Sequence, residues 1–369
     1  MTHIILLTQY VQAEQSAFMR PISVLFGFVM NFFFEIVYFF TVDNSLGLAI
    51  ILLTLTVRFT MLPLGLKSQK STQRMAALQP EIEKIKKKYE DKKDKESQQK
   101  MAAEIQNLYS KNNVSMLGGC LPLLIQMPIF VALNFIMRQS FLFINKLGDI
   151  YHDIAELLYM IPTRFNLLRP LADPLVPNNM VLDISEHYDL SRVINKFSEV
   201  QWDAIRSSEL FQKTPSVESF EGFSILGDIL GDTNLPVSAS TALDALLSQK
   251  TSIETFFGIN LLENAGYLWP GILIPIFSTI FMFLSSWLMQ KKQTVSNDPQ
   301  QKMMQRMMLY AMPLIIGFTT INFPAGVGIY WTVSNVFQVG QQLLLSKFYT
   351  PPEVVGVINE PKRKRMPRK

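Results

Sequence analysis

Cysteine is almost absent from this 369-residue sequence: Cys120 stands alone, so no intramolecular disulfide can form. Its apolar neighbours Leu117, Leu121, Leu123 and Leu124 mark it as a buried, inert thiol. Histidine occurs three times, at His3, His152 and His187, too scattered to build a metal site. Charged residues make up 17% of the chain, below the roughly 25% usual for a soluble domain. There is no GxxxxGK[ST] loop to cradle a nucleotide's phosphates, and no GxSxG nucleophile elbow. A Ser-x-x-Lys spacing at Ser97–Lys100 falls in a charged stretch and reads as chance. These absences leave no catalytic constellation and call for no cofactor or metal.

What is abundant is apolar: 49% of the residues are hydrophobic. A membrane-crossing helix needs about 20 mostly apolar residues. Five segments qualify: Leu46–Leu66, Met116–Phe143, Leu268–Gln290, Met307–Phe323 and Gly326–Ser346. Only Pro324 and Ala325 separate the last two, which predicts a tight antiparallel pair. A sixth candidate, Ile22–Phe40, carries Asn31 and Glu35 on one side and Met30, Phe33, Ile36 and Val37 on another. It reads as a helix lying on the membrane surface, a true span being the alternative. It begins late and has only Arg20 as a basic start, which fits a signal peptide poorly.

Charge is distributed unevenly. Lysines crowd the stretch from Lys67 to Asn113, and Lys291, Lys292, Lys302 and Arg306 follow the third segment. The C-terminal run Lys362-Arg363-Lys364-Arg365 continues to Arg368 and Lys369. Five spans place all three clusters on one side, which the positive-inside rule makes cytoplasmic. The stretch between the second and third spans is acidic, with Asp149, Asp153, Glu156, Glu218, Glu221 and Asp228 among its carboxylates, and falls outside. The N-terminus is then outside and the C-terminus cytoplasmic. The expected organisation is an N-terminal segment (1–44), a first span (45–66), a basic cytoplasmic region (67–113), a second span (114–143), an acidic outside segment (144–266), three further spans (267–346) and a basic tail (347–369).

The basic region has an order of its own. Leu78, Ile82, Ile85 and Tyr89 form one apolar seam at helical spacing. A polar run follows, and then Met101, Ile105 and Leu108 form a second seam, which predicts an antiparallel helical hairpin.

Within the spans, polar residues are the informative ones. Arg58 lies near the middle of the first, with Thr54 one turn before it. A charge at that depth costs roughly 2.5–3.5 kcal/mol even on the lenient insertion scale, so Arg58 should face a wet cavity rather than lipid. Ser334, Asn335, Gln338, Gln341 and Gln342 share one face of the last span. Gln126 and Asn134 mark the second span, and no Asp or Glu falls within any of the five. Singly, most of these neutral polar residues are better read as interhelical hydrogen bonds. Together with Arg58 they predict a polar groove in an apolar bundle.

The stretches Val57-Arg58-Phe59-Thr60-Met61-Leu62-Pro63-Leu64, Leu78-Gln79-Pro80-Glu81-Ile82, the run from Leu117 through Gln126 to Phe130, and Phe323-Pro324-Ala325-Gly326 followed by Tyr330-Trp331-Thr332-Val333-Ser334-Asn335 resemble the YidC-family insertases of the YidC/Oxa/Alb superfamily. The order is that of the family, and the five-span core resembles its Gram-positive members. The long acidic segment departs from it.

The resemblance implies an all-α five-span bundle with a groove open to cytoplasm and lipid. It implies client-binding by Arg58, Thr54, Gln126, Asn134, Trp331, Ser334, Asn335 and Gln338. It further implies a multi-pass protein of the cytoplasmic membrane that works as a monomer without a cofactor. Its partners would be nascent membrane protein clients and membrane lipids, with the ribosome and the Sec translocon as further candidates. Composition alone leaves a small-solute transporter or channel as the rival, although no paired repeat with broken helices is visible.

Overall fold

The structure is a computed structural model that describes residues 16–90, 94–112, 114, 121–161, 164–175, 187–231, 235–291 and 299–349. Cys120 and the basic run from Lys362 lie outside the described residues.

Helix α1 (Arg20–Phe40) leads to α2 (Ser45–Thr60) and α3 (Leu62–Ala77), which are followed by α4 (Gln79–Lys88) and α5 (Lys95–Lys111). Next come α6 (Leu121–Arg138), α7 (Ser140–Phe143), α8 (Asn145–Tyr159) and α9 (Arg164–Ala172). The acidic segment continues through α10 (His187–Ile194), α11 (Glu199–Ser207), α12 (Glu209–Gln212), α13 (Leu226–Leu230) and α14 (Ala239–Glu254). A small antiparallel hairpin of β1 (Thr255–Phe256) and β2 (Ile259–Asn260) interrupts the helices. Then follow α15 (Leu273–Gln290), α16 (Pro299–Arg306), a π-helical turn at Met307–Ala311, α17 (Met312–Thr320) and α18 (Ala325–Phe348).

Among the described residues, α1 and α15 are each long and apolar enough to cross a membrane, and the bent pair α2–α3 makes a third. Leu124–Arg138 and Met307–Thr320 are shorter apolar helices. The segment read from sequence as one span to Leu66 bends by 59° at Met61. Pro63 explains the break: it lacks an N–H, so it is tolerated at the start of a helix but not in its interior.

The described residues form two compact units. One comprises the chain up to Leu53, Pro128–Ile274 and Thr320–Tyr330; the other comprises Thr54–Met127, Pro275–Thr319 and the chain from Trp331.

In the first unit, α8 is the organising helix. Ile150, Ile154, Leu157 and Leu158 are fully buried on it, and Asp153 is buried among them. The Asp153 carboxylate accepts backbone N–H bonds from Ser224 (2.6 Å), Ile225 (2.8 Å) and Leu226 (2.7 Å), which fixes the start of α13. Glu254, at the end of α14, is also buried and accepts from Lys250 (2.8 Å) and from the Tyr151 hydroxyl (3.3 Å). The turn after α17 is clamped to the strand-like stretch before α15. Ala265 N–H donates to Phe323 O, Gly266 to Ile321 O, Ala325 to Glu263 O and Gly326 to Leu261 O. Gly326 is required there, because a Cβ would stand 2.7 Å from the Met137 sulfur and 3.2 Å from the Leu261 carbonyl.

In the second unit, Leu78, Ile82, Ile85, Tyr89, Leu108 and Val114 form one buried cluster, with Met101, Ile105 and Tyr109 packed against it. The two apolar seams of α4 and α5 therefore cover each other. Lys88 and Tyr89 both donate to the Glu104 carboxylate, at 2.6 and 3.0 Å, and the Lys88 bond holds that carboxyl below its usual pKa. Asp94 caps α5 by accepting the Ser97 N–H at 2.8 Å.

Candidate functional site

Apolar helices leave few ways to satisfy a polar side chain, so each polar pair in the second unit is informative. Arg58 is half-buried on α2 and its Nη2 donates to Gln126 Oε1 on α6 at 3.3 Å. Thr54, one turn earlier, is fully buried. The residue met by the guanidinium is thus a neutral amide. A hydrogen bond involving a charged group returns about 1.5–3 kcal/mol. The sequence places Arg58 near the middle of a straight span, but in the structure it lies in the last turn of α2, just before the bend at Met61.

On α18 the polar stripe is divided. Asn335 turns toward α15, where its amide donates to the Ser278 carbonyl at 3.5 Å. Gln342 Nε2 donates to Ser285 Oγ at 3.3 Å. Ser334 is 1% exposed and its Oγ has no hydrogen-bond partner among the described residues. Trp331 and Gln338 are half-buried on the same helix. Phe59 and Phe337 stack edge to face at 5.1 Å, an apolar neighbour to this stripe. Asn134 belongs to the first unit and accepts from Arg138 one turn along α6 at 3.3 Å. The structure joins Arg58 to Gln126, and it gives Asn134 a local partner instead.

Sequence reasoning passed over Gln69 and Gln73. With Thr72, Gln342 and Ser346 they line a cavity of about 30 Å³, closed on one side by Leu288 and Met289. It has room for one or two waters. The side-chain oxygens of Gln69, Gln73 and Gln342 are buried there without a hydrogen-bond partner among the described residues. The signal was present as an i, i+4 glutamine pair on α3, but it lay beyond the end assigned to the first span. No group of His, Cys, Asp and Glu able to hold a metal occurs among the described residues.

Comparison with known proteins agrees with the motifs. The sequence profile of the 60Kd inner membrane protein family matches residues 36–163 and 236–352. The unmatched interval is the central part of the acidic segment. The membrane protein insertase YidC of Oceanobacillus iheyensis is 28% identical over 306 residues, covering 83% of this chain and 76% of that protein. Membrane protein insertase YidC 2 of Bacillus anthracis is 27% identical over 328 residues, covering 89% and 79%. Membrane protein insertase MisCA of Bacillus subtilis is 28% identical over 305 residues, covering 83% and 71%. A mostly helical membrane protein whose apolar helices carry these motifs, in this order, belongs to the 60Kd inner membrane protein family.

Proposed function

We propose that this chain is a membrane protein insertase that lets a client's short hydrophilic segment enter a polar groove while its apolar segment passes into lipid. Five helical spans surround the groove in this reading. The helices α4 and α5 form a cytoplasmic hairpin that receives clients, and the acidic segment lies outside. Arg58, Thr54, Gln126, Trp331, Ser334, Asn335 and Gln338 offer the client polar contacts. Clients arrive as nascent membrane proteins, delivered by a ribosome or shared with the Sec translocon. The protein acts as a monomer.

The observation that carries this reading is the Arg58–Gln126 pair. A positive charge in the last turn of an apolar helix, meeting a neutral amide on α6, attracts an anionic or polar guest. Hydrating the guest's polar groups through side chains removes part of the cost of taking them out of water. Burying the guest's apolar segment then supplies the drive, about 25 cal/mol per Å² of apolar surface. No nucleotide is needed, because the transfer is already downhill.

The test is site-specific photocrosslinking. A photoreactive residue at Gln126 or Trp331 should crosslink a ribosome-stalled membrane protein, and one at Val200 on α11 should not. A chain that instead moves a small solute in liposomes, with no crosslink at either groove position, would favour a transporter and refute this reading.

A further inference from the structure

The turn joining β1 to β2 uses the wrong residue for its own geometry. Thr255 pairs with Asn260 and Phe256 with Ile259, which leaves Phe257 and Gly258 as a two-residue loop. Both have positive φ, +48° and +79°. A loop of this kind favours Asn-Gly or Asp-Gly, because its first residue must enter the left-handed region. A bulky side chain there is strained. Phe257 meets only the edge of the Phe256 ring, at 4.6 Å between centroids, and stays 79% exposed, whereas Phe256 lies over Gly47 of α2.

The turn's surroundings say what Phe257 faces. Its backbone N–H donates to Asn44 Oδ1 at 2.9 Å, and Asn44 immediately precedes α2. Gly258 approaches Pro270, just before α15. The loop therefore joins the N-terminal ends of two apolar helices. Beside it in the sequence leading into α15 stand Tyr267, Leu268 and Trp269, which are 63%, 83% and 76% exposed. Phe39 and Phe40, at the end of α1 and a few residues before α2, are 83% and 79% exposed. Aromatic side chains gather at membrane–water interfaces, where a ring can enter the headgroup layer while its backbone stays hydrated.

We infer that the Phe257-Gly258 turn, with Leu268 and Trp269, is a membrane anchor seated in the lipid headgroup–acyl boundary at the N-terminal ends of α2 and α15. The partner is the bilayer surface itself. The anchor ties the acidic segment, through α14 and the hairpin, to a fixed depth. Nothing in the groove reading requires it, and it stands whether or not that reading does.

The test uses the full chain with Cys120→Ser, reconstituted in vesicles of phosphatidylethanolamine and phosphatidylglycerol. A nitroxide is attached at Phe257→Cys, at Leu268→Cys or at the control Val200→Cys, a 75% exposed position on α11. Labels at 257 and 268 should collide more with oxygen, which concentrates in lipid, than with a water-soluble nickel chelate. The label at 200 should show the reverse. A second variant guards against misfolding. Phe257→Asn suits the turn, so the chain should melt no lower than before, yet the label at 268 should shift toward the nickel chelate. Labels at 257 and 268 as open to nickel as the one at 200, or shielded from both reagents as a covering protein would make them, would overturn the anchor. An unchanged label at 268 in Phe257→Asn would do so as well.

Discussion

Asp153 and Gln342 are both buried polar side chains, and the protein treats them in opposite ways. Asp153, in the acidic segment, accepts three backbone N–H bonds and leaves none of those donors open. Gln342, in the unit that carries Arg58, spends its amide nitrogen on Ser285 and leaves its oxygen unpartnered beside the oxygens of Gln69 and Gln73. A carboxylate that holds three successive backbone N–H groups is a structural fastener. An amide cluster with spare acceptors facing a small cavity is a place for water. Asp153 thus uses buried polarity for rigidity, whereas Gln342 keeps an acceptor unpartnered.

The largest consequence falls on the fastener. Asp153→Ala strands the buried N–H groups of Ile225 and Leu226 and releases that of the exposed Ser224, and should destabilise the acidic segment by about 2–5 kcal/mol. Hydrogen exchange at Ser224–Leu226 reads this directly, and the protection there should collapse while that of α4 and α5 stays.

A smaller effect concerns His152, which is half-exposed and faces Asp149, Asp153, Glu156 and the Ser224 hydroxyl. Its bond to Asp153 raises its pKa above the ordinary 6.5. A raised folded-state pKa contributes stability that is fully present below about 6.5 and is lost as pH rises through the folded value. Melting of the acidic segment should therefore fall slightly between pH 6 and 8, and His152→Gln should flatten that slope.

The smallest effect is expected at the unpartnered acceptor. Gln342→Met gives up one 3.3 Å bond to Ser285 but also removes an unpartnered buried oxygen, so stability should change by no more than about 1 kcal/mol. A loss near that of Asp153→Ala would mean that Gln342 is a fastener too, and would erase the contrast between the two side chains.

The contrast was only half legible in the sequence. Long apolar runs announce α2, α6, α15 and α18, and the 3.5-residue seams of α4 and α5 name the residues that cluster. Arg58 stands out because charge is costly where its neighbours are apolar. The bend at Met61 was missed because Pro63 was counted inside an apolar run rather than as the first turn of a new helix. Asn134 and Gln126 stand out only as polar positions on the second span, which cannot say that Asn134 pairs with the nearby Arg138. Asp153 looked like one of many solvated acids. Its position among Ile150, Ile154 and Leu157, on an apolar face, was the available clue. The loop it fastens is 71 residues away, and no local pattern encodes that distance. The β-hairpin is too short for alternation to reveal.

The central claim is that Arg58 serves by its charge. Insertion of one client, in acidic and neutralised versions, should be compared for Arg58, Arg58→Lys, Arg58→Ala and Arg58→Glu proteins at matched abundance. Lysine should retain much of the activity, because water in the proposed groove would raise the local dielectric and make a positive charge matter more than the guanidinium fork. Alanine and glutamate should impair the acidic client far more than the neutral one. If Arg58→Glu inserts the acidic client as well as the unmodified protein does, the charge has no such role.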